Sequence, residues 1–133
     1  MKSKDVEQRE PTRFAMSSLI DAMPDAIVIV NTAGQIVDVN VQAVGMFGYT
    51  RDELLGEQVE MLIPTEKRER HVGERDNYVN RPRVRPMGAG MKLSALHKDG
   101  HTLHVEINLA PYQSAEGLLV VGAIRDLAAQ RRE

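Results

Sequence analysis

The sequence predicts an α+β domain: one sheet of five antiparallel strands with short helices on one face, flanked by an N-terminal and a C-terminal helix. Three observations predict it: two β-branched runs around an early turn, several short helix signals in the middle, and three strand signals near the end. The 133 residues fit one domain. With no cysteine in the chain, disulfides, cysteine-ligated metals and thiol nucleophiles are excluded.

Charge and hydropathy exclude further classes of function. The formal net charge of −2 creates no field that attracts nucleic acid or an anionic membrane. The longest apolar runs, 26–30 and 117–124, are too short to cross a bilayer, and the charged N-terminus lacks the apolar region of a signal peptide. We therefore expect a cytoplasmic protein without nucleic-acid or membrane partners. The final AAQRRE carries no helix stop, which is typical of a fragment of a longer chain.

The N-terminus predicts an arm followed by a short helix. Residues 1–13 are polar and contain a proline, which indicates a flexible arm. Phe14, Leu19 and Ile20 then have helical spacing, and Pro24 ends that segment. Because this apolar stripe has little core of its own to cover, we expect it to form a homodimer contact together with the sheet.

A hairpin and a capped helix follow. Residues 26–31 and 35–39 are rich in β-branched side chains and flank an Asn-Thr-Ala-Gly turn, which predicts two antiparallel strands. Asn40 is placed to cap a helix over 41–47, and Gly48 to end it.

The middle of the chain predicts short helices. Thr50 and Glu53 have the spacing of a capping box, and Gly56 ends the helix that it begins. A short segment, 59–63, precedes a proline. Residues 65–80 are strongly polar, which predicts a helix on the surface or along the rim of a cavity.

The last third predicts strands. Residues 91–96 are strand-like, and 98–100 (Lys-Asp-Gly) form a hairpin turn. Residues 103–109 alternate apolar and polar side chains, as in a strand with one buried face. After a second turn, 118–124 form the last strand, and Asp126 is placed to cap the outgoing helix.

Seven motifs in this order identify a family. They are MPDAIVIV (23–30), GQIVDVN (34–40), FGY (47–49), DELLG (52–56), LIP (62–64), KDG (98–100) and AIRDL (123–127). Together they resemble a PAS domain over residues 14–127, which leaves 1–13 as the arm and 128–133 as the start of a signalling helix. The resemblance implies a sensory or dimerisation module of a bacterial sensor kinase, cyclic-dinucleotide enzyme or transcription regulator, linked to an effector domain and not itself an enzyme.

The resemblance also implies a ligand cavity between the sheet and the short helices. Flavin photoreceptors of the family need a reactive cysteine, which this chain lacks. Haem-binding oxygen sensors of the family use a histidine seven residues after a Leu-hydrophobic-Pro motif, and His71 has that spacing. In the same comparison Met91, Ile107 and Leu109 match the distal side, with Met87 nearby.

Two interpretations of the cavity stay open. It binds haem b through the iron at His71, or it binds an unidentified ligand or none. Met91 stands where the family's oxygen sensors have an arginine, so a His/Met iron site would favour redox sensing. Arg75, Arg83 or Arg85 are candidates to bind the propionates. Charged residues one turn from His71 favour an exposed helix without haem.

Five polar residues of the motifs are expected to carry structure and signal. Asn40 caps a strand-to-helix corner, and Glu53 caps a helix or pairs with Lys98. Arg125 and Asp126 lead from the last strand into the signalling helix.

Three histidines near the Lys-Asp-Gly turn are the remaining cluster. His97, His101 and His104 resemble a metal site, but strand alternation places His101 and His104 on opposite faces, which favours a solvated hairpin tip. The sequence shows no phosphate-binding loop, nucleophile elbow or carboxylate pair, so a small α+β enzyme is the weakest alternative.

Overall fold

The computed structural model describes residues 18–82, 85–87 and 93–128. Strands β1 (Ala26–Asn31) and β2 (Ile36–Val39) form the predicted antiparallel hairpin. The side chain of Asn31 holds its turn, because Oδ1 accepts hydrogen bonds from the backbone N–H groups of Ala33 and Gln35.

The middle of the chain forms short helices, as predicted. Helix α1 (Val41–Phe47) and helix α2 (Arg51–Leu54) precede two 3₁₀ turns, Val59–Leu62 and Thr65–Lys67. Helix α3 (Arg68–Asn80) continues from the second turn. Proline and glycine signals divide this region, so no helix in it exceeds 13 residues.

The C-terminal strands complete a sheet in which all pairings are antiparallel. Strands β5 (Thr102–Ser114) and β6 (Gly117–Asp126) form the long central hairpin, and β6 pairs with β1. Strands β3 (Arg85–Met87) and β4 (Leu93–Leu96) both pair with β5, so they share one edge position. The predicted five-stranded antiparallel α+β fold is confirmed.

Strand β3 is not among the strands that the sequence predicts, because proline is depleted in strands. An edge strand tolerates a proline, since one side of the strand needs no hydrogen-bond donor, and Pro86 is aligned with Asn108 of β5. Of the strand predicted over 91–96, the structure describes Leu93–Leu96.

The sheet has a buried face toward the helices and a second, smaller apolar cluster on its other face. Val28 and Val30 of β1 pack with Phe47 and Leu62 on the helical side. Ile27 and Ile29 point the opposite way and pack with Ile20. The expectation that the N-terminal stripe has little core of its own to cover is therefore wrong for Ile20, which is buried within the chain.

Two further N-terminal residues of the expected dimer contact have different outcomes. Leu19 is 65% exposed, and Phe14 lies outside the described residues. Among the described helices, none is long and apolar enough to cross a membrane.

Candidate functional site

A cavity of about 470 Å³ lies between the inner face of the sheet and helix α3. This volume is in the range of about 300–1,000 Å³ that small-molecule sites occupy. Its sheet wall is apolar, because alternate residues of β1, β5 and β6 face the helices. Its helical wall combines apolar residues with the charged ones. The charged and histidine residues that line it are Lys67, Arg70, His71, Glu74 and Arg75.

His71 is held by a carboxylate from the first 3₁₀ turn, Val59–Leu62. The Nδ1 atom of His71 lies 2.7 Å from Oε2 of Glu60. The side chain of Glu60 is 9% exposed, and that of His71 is 28% exposed. Since Nδ1 is engaged, Nε2 is the ring nitrogen left for a ligand.

Arg75, one turn along α3, binds the same carboxylate. Its Nε donates to Oε2 of Glu60 over 3.1 Å, and its Nη2 donates to Oε1 over 3.3 Å. This two-point geometry suits a guanidinium and a carboxylate. Only 14% of the Arg75 side chain is exposed, so Glu60, His71 and Arg75 form a largely buried charged group, here called the Glu60 cluster.

The Glu60 cluster also contacts the β1–β2 turn. A Cβ atom placed on Gly34 would lie 2.4 Å from Cζ of Arg75, and Gly34 has a φ of +81°. The position therefore needs glycine both for its backbone conformation and for the space that the guanidinium fills.

The structure brings three of the predicted pocket residues together. His71, Ile107 and Leu109 all line the cavity. The side chain of Met87 is not described, and Met91 lies outside the described residues.

The candidate propionate ligands have mixed outcomes. Arg75 lines the cavity, but its guanidinium is paired with Glu60. Arg83 lies outside the described residues, and Arg85 is described by its backbone alone.

The sequence analysis did not predict Glu60 as a residue of the site. Its signal was a lone carboxylate among the apolar residues 59–63, ahead of a histidine and an arginine on a polar helix.

The capping role expected of Asn40 is confirmed, and the side chain does more than cap α1. Its Oδ1 accepts from the N–H of Ala43, over 3.0 Å, and from the N–H of Ile27, over 2.8 Å. Its Nδ2 donates to the carbonyl oxygens of Ile20 and Asp25. One buried amide therefore joins β1, α1 and the N-terminal segment.

Glu53 has both roles expected of it. It completes the capping box with Thr50 at the start of α2, and Oε2 accepts from Nζ of Lys98 over 2.8 Å. The hydrogen bond from Lys98, followed by that from the Thr50 backbone, lowers the Glu53 pKa from 4.5 to about 2. The pair links α2 to the β4–β5 hairpin.

Arg125 and Asp126, the other two motif residues, lie at the end of β6. Arg125 donates through Nε to Oδ1 of Asp25 over 3.1 Å, which ties β6 to the segment before β1. Asp126 accepts through Oδ1 from the N–H of Ala128 over 2.9 Å, as expected of a cap at the start of a helix.

The β4–β5 hairpin contains a second carboxylate–histidine group. Asp99 contacts Nδ1 of both His97 and His101, and the two imidazole rings stack with centroids 4.5 Å apart. The hydrogen bond from the His101 N–H lowers the Asp99 pKa. We call these three residues the Asp99 cluster. The tip is exposed as predicted, and His104 stands apart from the cluster, but the contact between His97 and His101 was missed.

Comparison with known proteins identifies the fold family. A sequence profile described as the PAS fold matches residues 15–127. The chain belongs to the PAS family. Such domains are regulatory sensory modules.

Individual relatives of this PAS domain agree. The sensor protein FixL of Bradyrhizobium diazoefficiens is 29% identical over 129 residues, which cover 93% of this chain and 25% of FixL, so the chain spans a quarter of that protein. The PAS domain of a Colwellia psychrerythraea protein superposes with a TM-score of 0.71 at 25% identity, covering 86% of this chain and 96% of that one. A PAS domain from a two-component sensor histidine kinase gives a TM-score of 0.70 at 18% identity, covering 90% and 98%, and shows the shared fold.

Proposed function

We propose that this PAS domain is the sensory module of a signalling protein and binds an amphiphilic ligand, apolar along its body and anionic at one end. The observation that carries the proposal is the asymmetry of the cavity: the sheet wall is largely apolar, whereas the charged lining residues all come from α3 and the 3₁₀ turn before it. A ligand that buries apolar surface and keeps its charge near the cations satisfies both walls.

The apolar wall stabilises a bound ligand but does not fix its orientation. Val28, Val30, Ile107, Leu109 and Ile124 line it. Burial of apolar ligand surface against such side chains contributes about 25 cal/mol per Å² before the costs of association.

The charged wall supplies orientation. Lys67 and Arg70 bring positive charge to the cavity, and both side chains lie on exposed residues. Arg70 pairs with Glu74 over 3.0 Å at the surface, where an exposed pair contributes little and exchanges readily for a ligand carboxylate. Arg75 is committed to Glu60 and positions His71 instead.

Haem is a second candidate, favoured by one observation of its own. Glu60 holds Nδ1 of His71, and a carboxylate on that nitrogen is the usual partner of a metal-binding imidazole. The residues therefore fit the group: His71 would hold the iron, the sheet wall the macrocycle, and Lys67 or Arg70 a propionate. Haem bound there would supply binding of a diatomic gas or a change of redox state.

The experiment starts with the protein as purified. Native mass spectrometry is expected to show a bound small molecule, and the absorption spectrum distinguishes haem from other ligands. Haemin is then added to the wild type, His71→Ala and a control, His104→Ala. A Soret shift lost only in His71→Ala supports haem, and a shift that persists in His71→Ala rejects it.

A separate outcome would reject the general proposal that the cavity binds a ligand. If mass spectrometry shows no bound molecule, and neither haemin nor a fatty acid raises the Tm of the domain, the cavity does not act as a ligand site.

The homodimer and the linked effector domain remain predictions. PAS domains in sensor kinases are linked to effectors and often dimerise. Of the N-terminal stripe residues that the structure describes, Leu19 is exposed and Ile20 is buried, so Leu19 is the stripe residue that supports the predicted dimer contact.

A further inference from the structure

The Asp99 cluster lies outside the cavity and has no part in the proposed function. Each of its three residues offers one donor atom, and these atoms lie within 4.8 Å of one another. Two imidazole nitrogens and a carboxylate oxygen are donors that first-row transition metals prefer.

We propose that the Asp99 cluster binds a divalent transition-metal ion, Zn²⁺ or Ni²⁺, through Nδ1 of His97, Nδ1 of His101 and Oδ1 of Asp99. The separation of Nδ1 of His97 from Oδ1 of Asp99 is 3.2 Å. A tetrahedral ion with bonds of about 2.0–2.1 Å holds its donors about 3.3–3.4 Å apart. The His97–Asp99 side of the site is therefore already at the required spacing.

The His101–Asp99 side needs a small adjustment. These two side chains are in direct hydrogen-bond contact, closer than donors of one ion. His101 is 53% exposed, so its ring can turn away from the carboxylate without displacing the core. The ion would take the place of this contact and of the hydrogen bond from the Asp99 N–H to Nδ1 of His97.

The packing of His97 selects which of its nitrogens faces the ion. A Cβ atom placed on Gly48 would lie 2.5 Å from Nε2 of His97 but 3.3 Å from Nδ1. The Nε2 edge is therefore against the end of α1, and Nδ1 is left facing Asp99.

The hairpin backbone holds the donors in place. The N–H of His97 donates to the carbonyl of His101 over 3.0 Å, and the N–H of Gly100 donates to the carbonyl of His97 over 2.9 Å. The N–H of Lys98 donates to the carbonyl of Phe47 over 2.9 Å, which fixes the hairpin to α1. A site on such a rigid element loses little entropy when the ion binds.

The donor set excludes the hard cations. Mg²⁺ and Ca²⁺ prefer six or more oxygen ligands, whereas this site offers two nitrogens and one oxygen. Three protein donors leave at least one coordination position for water.

The test is calorimetric titration of the whole chain with ZnCl₂ and NiCl₂, with MgCl₂ as the negative control. We expect one ion per chain and no response to Mg²⁺. His101→Ala and Asp99→Asn should each weaken binding at least about tenfold, since even outer-sphere changes cost 10–100-fold. His104→Ala and His71→Ala are matched controls that should bind as the wild type does.

Circular dichroism verifies that each variant is folded, and Asp99→Asn preserves an oxygen that can accept the turn hydrogen bond. The proposal is overturned if the wild type binds neither Zn²⁺ nor Ni²⁺. It is equally overturned if His104→Ala or His71→Ala weakens binding as much as His101→Ala does. Because His71→Ala is a control, failure here is distinguishable from failure of the cavity proposal.

Discussion

The Glu60 cluster and the Asp99 cluster contain the same chemistry in two different environments. Each is a carboxylate that contacts a histidine and a second basic group. Glu60 is buried, whereas the Asp99 side chain is 62% exposed. Each cluster also packs on a glycine with a φ of +81°, Gly34 beneath Arg75 and Gly48 beneath His97.

The difference shows how burial assigns a role to a charged group. A buried carboxylate loses its hydration, so removing one of the groups that pair with it destabilises the fold. An exposed carboxylate is hydrated and screened, so its contacts contribute little to stability and can be exchanged for a bound ion. The Glu60 cluster therefore holds a wall of the cavity in place, and the Asp99 cluster is open to a ligand.

The largest expected effect is that of Glu60→Ala. The substitution leaves the guanidinium of Arg75 buried without its counter-charge and frees the imidazole of His71. Removing one partner of a buried pair typically costs about 3 kcal/mol or more in the free energy of unfolding. Urea denaturation measures it.

The matched control is Glu57→Ala, because Glu57 is an exposed glutamate on the same stretch. An equal loss of stability in both variants would show that the environment of Glu60 has no special importance. Asp99→Ala should destabilise the domain far less than Glu60→Ala, and the opposite order would break the comparison.

An intermediate effect is expected from Gly34→Ala. The added methyl group meets the Arg75 guanidinium and forces it off Glu60, and the backbone at φ +81° disfavours alanine. Gly56→Ala is the control for the cost of placing alanine at a positive φ, since Gly56 has a φ of +84° with open space at its Cβ. We expect Gly34→Ala to lose about 1–2 kcal/mol more than Gly56→Ala in urea denaturation. Equal losses would mean that Arg75 moves aside freely.

The smallest effect concerns an exposed carboxylate outside both clusters. Glu53→Gln preserves the capping box but removes the ion pair with Lys98. Because the folded-state pKa of Glu53 is lowered to about 2 from 4.5, its contribution is complete above the ordinary value and is lost as the pH falls from there toward 2.

The variant should therefore lower Tm by about 1–3 °C at pH 7 and low salt. Thermal scans should show that the difference from the wild type disappears toward pH 2 and shrinks in 1 M NaCl. A difference that grows on acidification would contradict the assigned pKa direction.

Local signals in the sequence predicted local structure. The Asn40 cap, the Thr50–Glu53 capping box and the β1–β2 turn depend on residues that are near each other in the chain, so their spacing shows them directly. The Glu53–Lys98 pair spans 45 positions, and it was predicted because both residues belong to motifs of the family.

The Glu60 cluster and the stacked histidines could not be predicted from the spacing of residues in the sequence. Glu60 reaches residues 11 and 15 positions ahead because a 3₁₀ turn and a helix fold back on each other, and this angle has no sequence signature. The His97–His101 contact follows from the hairpin register. Strand alternation separates His101 from His104, whereas the residues directly opposite each other in the hairpin are His97 and His101.

Phe47 contacts both the cavity and the β4–β5 hairpin. Its side chain lines the cavity, and its carbonyl oxygen accepts the hydrogen bond from Lys98 that fixes the β4–β5 hairpin. A ligand that pushes the Phe47 ring would act on the end of α1, and the hairpin would follow through a single backbone bond. Phe47 thus gives the cavity a direct structural link to the hairpin that carries the Asp99 cluster.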